Sequence, residues 1–128
     1  MIDFSEDVTF KLRKVDNHNI NKNASAMLID DEEVIGVYKT VRDQVVFTDK
    51  RIIAIDVKGI TGKRQELFIL PYTNIQYFGV QTVGFFELIP DSELSLFFNN
   101  GMAANFEFRG ESDIIEIGKV ISQFTLKK

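Results

Sequence analysis

No cysteine occurs anywhere in the 128 residues. That absence excludes a disulfide framework, a thiolate nucleophile and any cysteine-based zinc site, and it suits a reducing compartment. Histidine is nearly as scarce, with His18 the only one. One imidazole without thiols cannot build a histidine-rich metal site, and no Ser-His-Asp relay is in view. No apolar run reaches the roughly 18 residues that a membrane-spanning helix requires. The first ten residues, MIDFSEDVTF, are acidic and lack the basic start and apolar run of a signal peptide. A cytoplasmic location is the expectation. No catalytic set and no cofactor site emerge from the residue types present.

What is present suits one globular domain: 45% of residues are hydrophobic. A domain of this length buries roughly two-thirds of its unfolded surface and needs no disulfide or metal to fold. The net charge of −4 argues against a nucleic-acid partner. Residues 1–64 hold 11 basic and 11 acidic side chains, whereas residues 65–128 hold 4 and 8. The acidic excess therefore falls in the second half, and the first half has room for a local basic patch.

The first thirty residues differ from the rest. The Asn-rich stretch Asp16 to Asn23 reads as loop. Asn19 is placed to N-cap a short helix with Ile20, Ala24, Met27 and Leu28 on one face, ended by Asp30-Asp31-Glu32-Glu33. From Val34 the pattern turns to strand. Val34 to Val41 is rich in β-branched residues; Val45 to Thr48, Ile52 to Ile55 and Ile75 to Thr82 also read as strands, and Gln65 to Leu70 as one that alternates less cleanly. Asp49-Lys50 reads as a two-residue hairpin turn, and a strand should end or kink at Pro71. Leu94, Leu96 and Phe98 share one strand face, and Asn100-Gly101 is the strongest hairpin signal in the chain. Ala104, Phe106 and Phe108 then alternate with Asn105, Glu107 and Arg109, which marks a strand with one wet face.

The chain closes with a helix. Ser112 is a good N-cap, and Ile114, Ile117, Ile121 and Phe124 fall at helical spacing, supported by Val120. Asp113 and Glu116 suit the positive end of its dipole, Lys127 and Lys128 the negative end. About seven strands with no helix between them exclude a doubly wound sheet. A terminal amphipathic helix is the natural plug for an open roll.

Several stretches together resemble the bacterial pleckstrin-homology-like domain family in its small single-domain form. They are VRDQVVFTDKRIIAIDVKGITGKR, LPYTNI and the segment Thr82 to Leu88. The resemblance implies a mainly β, seven-stranded two-sheet roll or open barrel over residues 33–128, capped by the C-terminal helix, after an N-terminal extension at 1–32. It also implies self-assembly into rings or other oligomers, and no enzyme activity. It supplies no ligand and no catalytic residue.

Gly59-Ile60-Thr61-Gly62-Lys63-Arg64 looks at first like a phosphate loop. Such a loop needs GxxxxGK followed by Ser or Thr, between a strand and a helix. Here the glycines stand two residues too close, Arg64 replaces the hydroxyl residue, and a strand follows. A turn is the better reading. Lys50, Arg51, Lys63 and Arg64 form two basic pairs near turns. They either guard strand edges or make an anionic-headgroup or phosphate site. Arg42-Asp43 and Asp49-Arg51 read as structural pairs and caps.

Twelve phenylalanines without a tryptophan exceed what a small roll needs inside. In a strand, neighbours point to opposite faces. If Phe98 is in the core, Phe97 faces out. Phe85, Phe86 and Phe97 are thus candidates for self-association, unless the N-terminal segment or terminal helix covers them. The expected function is a non-catalytic interaction module that self-associates and binds a protein partner. The alternative is a peripheral membrane or phosphate-binding module using the basic turn residues.

Overall fold

The computed structural model describes residues 12–82, 91–109 and 114–126. Strands β1 (Arg13–Val15), β2 (Val34–Lys39), β3 (Gln44–Thr48), β4 (Arg51–Lys58) and β5 (Arg64–Pro71) make a five-stranded antiparallel sheet in chain order. Strands β6 (Ile75–Gln81), β7 (Asp91–Phe98) and β8 (Ala103–Arg109) make a three-stranded one. Helix α1 (Lys22–Met27) lies between β1 and β2, and helix α2 (Ile114–Thr125) follows β8. All seven strands expected from Val34 onward are present. An eighth, β1, comes from the segment read as an N-terminal extension.

The inner faces of both sheets meet in one core. Tyr38, Val45, Phe47, Ile52 and Ala54 come from the larger sheet, and Leu94, Leu96, Phe106 and Phe108 from the smaller. Ile114, Ile117 and Ile121 of α2 join the same cluster, so the helix plugs the roll as its apolar spacing requires. A second cluster lies on the outer face of the larger sheet. There Val37, Val46, Ile53 and Ile55 meet Ala24 of α1, flanked by Ile20 and Leu28. β3 and β4 are therefore covered on both faces, which is why VVF and IIAI carry no polar alternation.

Helix α1 starts later than its sequence suggests. Asn21, not Asn19, is the N-cap, and its side chain accepts from Asn23 N (2.8 Å) and Ala24 N (3.1 Å). Asn17–Asn19 is a 3-10 turn capped by Asp16 instead. Ala24 is the one buried residue of the six-residue helix, and Met27, expected on the same face, is 44% exposed.

The turns are set by local chemistry. At β7–β8, Gly101 N donates to Phe98 O (3.0 Å) and Phe98 N to Met102 O (2.8 Å). Gly101 has φ +86°, while neither asparagine before it has positive φ. The loop is thus three residues, Asn99 to Gly101, with glycine in the left-handed position, rather than a two-residue turn. Pro71 ends β5 as expected, followed by a 3-10 turn at Tyr72–Asn74. Ser112, Asp113, Lys127 and Lys128 lie outside the described residues.

Candidate functional site

The two basic pairs separate. Lys50 and Arg51 sit at the start of β4. Lys63 and Arg64 sit at its other end, where Lys58 pairs with Arg64 across the β4–β5 hairpin. Eight strand residues place the pairs roughly 23 Å apart. The four residues do not make one cradle.

Arg51 is committed inside the protein. Its Nε donates to Glu32 Oε2 (2.9 Å), and its Nη2 to Glu32 Oε1 (2.8 Å) and to Met27 O (2.8 Å). The Glu32 side chain has no solvent exposure and that of Arg51 only 15%. Thr48 Oγ1 donates to Glu32 Oε2 (2.7 Å) and accepts from Lys50 N and Arg51 N, which closes the β3–β4 turn. Tyr72 Oη donates to Thr48 O (2.7 Å), and burial raises its phenol far above the ordinary value. Burial also raises the Glu32 carboxyl, but hydrogen bonds from Arg51 and Thr48 outweigh it and hold the group below 4.5. Lys50 is the exposed member of this end, 3.8 Å from Asp31. The arginine expected among anion contacts is thus a structural tie between β4, the Glu32 loop and the end of α1. Asp49, expected to pair with it, instead accepts from Glu33 N (3.0 Å).

The opposite end is open and basic. Gly59 and Gly62 have φ +80° and +70°, which turns the chain between β4 and β5. Arg42, in the β2–β3 loop, donates through Nη2 to Gly59 O and ties the two loops together. Asp43 accepts from Val57 N (2.9 Å). Lys39, Arg42, Lys63 and Arg64 are exposed here, while Lys58 pairs with Glu66. Two apolar side chains project among these cations: Ile60 is fully exposed and Val41 74% exposed. Val41, expected to end a strand running from Val34, falls instead in the loop after β2, which ends at Lys39; Ile60 was not singled out. An isoleucine between two turn glycines, where no strand can bury it, was the available signal.

A third feature lies on the outer face of the smaller sheet. Phe98 packs against the core, and Phe97 points the other way. Phe97 stacks on Tyr77 with ring centroids 4.4 Å apart and planes 11° from parallel. Tyr77 remains 57% exposed. Val80 and Ile115, also exposed, line a groove between β6 and α2. Phe85 and Phe86, the other two candidates for self-association, lie outside the described residues.

Finally, a cleft of about 250 Å³ opens between the end of β5 and the β7–β8 hairpin. Phe68, Leu70, Phe98, Met102 and Ala104 supply its apolar lining, with Asn74 and Asn100 at its rim. His18 sits in an exposed turn against Asp16. Among the described residues, no group of three His, Asp or Glu side chains comes together to hold a metal ion. Nor is any described helix long and apolar enough to cross a membrane.

Comparison with known proteins matches residues 3–125 to the model of the bacterial PH domain. The uncharacterized protein YjqA of Bacillus subtilis (strain 168) is 38% identical over 105 residues, covering 80% of this chain and 82% of that protein. The crystal structure of a DUF1696 family protein with a pleckstrin-homology domain from Shewanella loihica PV-4 superposes with a TM-score of 0.77. It is 31% identical and covers 90% of this chain and 97% of that one. A pleckstrin homology domain from Shewanella amazonensis SB2B is 37% identical with a TM-score of 0.65, covering 87% and 89% of the two chains.

Proposed function

Since the chain belongs to the bacterial PH domain family, we propose that it is a non-catalytic, cytoplasmic interaction module that self-associates and binds a protein partner. The carrying observation is the Tyr77–Phe97 stack. An aromatic pair on the open face of a sheet, with a tyrosine more than half exposed, is the composition of an interface. Val80 and Ile115 are also exposed, but on the side of β6 that faces α2, so they form a separate apolar surface. Light scattering at tens of micromolar tests the reading. Wild-type protein runs as an oligomer, and Tyr77→Asp, at an exposed site, shifts it toward monomer with unchanged far-ultraviolet circular dichroism. A strictly monomeric wild type removes the assembly half.

A second reading is supported by the basic loop end. Ile60 and Val41 project between Lys39, Arg42, Lys63 and Arg64, the pattern of an anionic-surface contact with an apolar tip. Each cation near such a surface contributes about 1 kcal/mol, lost with salt. Co-sedimentation with phosphatidylserine vesicles tests it. Binding that weakens with salt, Lys63→Glu and Ile60→Ser supports this reading, and no pelleting removes it.

A further inference from the structure

Among the described residues β5 pairs only with β4, so it ends the five-stranded sheet. Alternate N–H and C=O groups along its outer edge face away from the sheet. Natural edges of this length are guarded by charge, by bulges or by covering segments. Here the second half of the strand, Phe68-Ile69-Leu70-Pro71, is apolar, and Leu67 before it is apolar too. Phe68 and Leu70 pack toward the main core, and Leu67 and Ile69 toward the outer cluster. The apolar cleft opens directly beside this half. On its rim the Asn74 side-chain amide makes no hydrogen bond among the described residues. At the other end of β5, Lys63 and Arg64 are exposed and, among the described residues, without an acidic partner. Six residue steps along the strand, about 20 Å, separate Arg64 from Leu70.

We propose that the β5 edge and the adjoining cleft bind an extended peptide segment of another protein by strand addition. The segment runs antiparallel to β5, the commoner pairing. It places a bulky apolar side chain in the cleft and carboxylates about six residues later against Lys63 and Arg64. The edge supplies main-chain hydrogen bonds, and the cleft and the two cations select the sequence. A bilayer would satisfy the cations but neither the edge nor the cleft. This inference rests on the reading of the chain as a protein-binding module and names the chemistry of its partner.

The test uses the full chain and a fluorescein-labelled peptide, Thr-Phe-Thr-Val-Thr-Val-Asp-Glu, followed by anisotropy. Saturable binding in the micromolar range is expected. The double change Lys63→Glu with Arg64→Glu, at exposed sites, weakens it about tenfold or more. Met102→Trp, which blocks the mouth of the cleft from an exposed position, weakens it comparably. A peptide with proline in place of its second and third threonines loses main-chain donors and does not bind. The proposal is overturned by absence of saturation at millimolar peptide, by equal binding of the proline peptide, or by indifference to both protein variants. It is also overturned if phosphatidylserine vesicles bind through Lys63 and Arg64 while the peptide does not. Hydrogen exchange adds a further arm. β5 amides protected in the protein alone, and released on dilution, would assign this edge to self-association instead. Light scattering on the same samples separates the two ideas, because an oligomer that ignores the peptide sinks only the β5 site.

Discussion

Arg51 grips Glu32 with two parallel hydrogen bonds, Nε to Oε2 at 2.9 Å and Nη2 to Oε1 at 2.8 Å. The carboxylate is wholly out of solvent and the guanidinium nearly so. A planar fork meeting a carboxylate in this way is a strong, directional contact. Its removal from one side leaves a buried charge uncompensated. Arg51→Met should therefore destabilise by about 3–5 kcal/mol, read as the urea midpoint of unfolding. Lys50→Met, one residue earlier at an exposed site, should cost about 0–1 kcal/mol. Equal midpoints for the two variants would sink this account of the turn.

The same pair makes stability depend on pH. The folded Glu32 carboxyl titrates below its ordinary 4.5, so in that window the unfolded chain binds more protons than the folded one. Its contribution is complete above about pH 4.5 and is lost as the pH falls through the lower folded value. Glu32→Gln should flatten that part of the stability curve. Asp16 and Glu66 are also lowered, but both remain in the variant. The difference between the two acid-unfolding curves thus reports Glu32. Parallel curves from neutral to strongly acid pH would contradict the assignment.

Much of the fold was legible because its signals are local. β8 alternates Ala104, Phe106 and Phe108 with polar neighbours, since one sheet face is wet. The stripe of α2 repeats at helical spacing because one side is buried. Other features depend on distant residues. Arg13-Lys14-Val15 has no strand pattern of its own and becomes β1 by pairing with Val37 to Lys39. Glu32 and Arg51 are 19 residues apart, and nothing in the acidic run Asp30 to Glu33 singles out the one carboxylate that is buried. The sites were less legible than the fold. Basic residues at turns read alike in sequence, whether committed inside, as Arg51 is, or left exposed, as Lys63 and Arg64 are. β5 also resisted reading, because an edge strand with apolar residues on both faces has no clean period.

Gly101 offers a test of turn chemistry free of packing. Its φ is +86°, and a Cβ built there would meet no heavy atom within 4 Å. Any cost of substitution is therefore one of backbone conformation. Gly101→Val should destabilise by roughly 1 kcal/mol or more, since a β-branched residue is strained in the left-handed region. Gly79→Ala is the control. That site has equally open space and no positive φ, and alanine there should be neutral or slightly stabilising. Matching melting temperatures for Gly101→Val and wild type would argue against the three-residue loop.

The final prediction concerns what α2 is for. Ile117 is 3% exposed and packs in the main core with Ile114 and Ile121. Near the helix C-terminus, Phe124 stacks on Tyr72, ring centroids 5.1 Å apart. Tyr72 in turn hydrogen-bonds the Thr48 carbonyl at the β3–β4 turn. The plug is thus joined to the buried Glu32–Arg51 network through one tyrosine. Ile117→Asp sets an unpaired carboxylate against that core and should cost about 3–5 kcal/mol, read as a lowered urea midpoint and loss of near-ultraviolet dichroism. Lys119→Ala, two residues on and exposed, should change either reading little. A contrary result has a definite meaning. If Ile117→Asp gives a folded, soluble monomer with normal melting, the two sheets stand without the helix. The stripe of Ile114, Ile117 and Ile121 would then act between subunits, and the Tyr77–Phe97 face would lose its claim as the assembly surface.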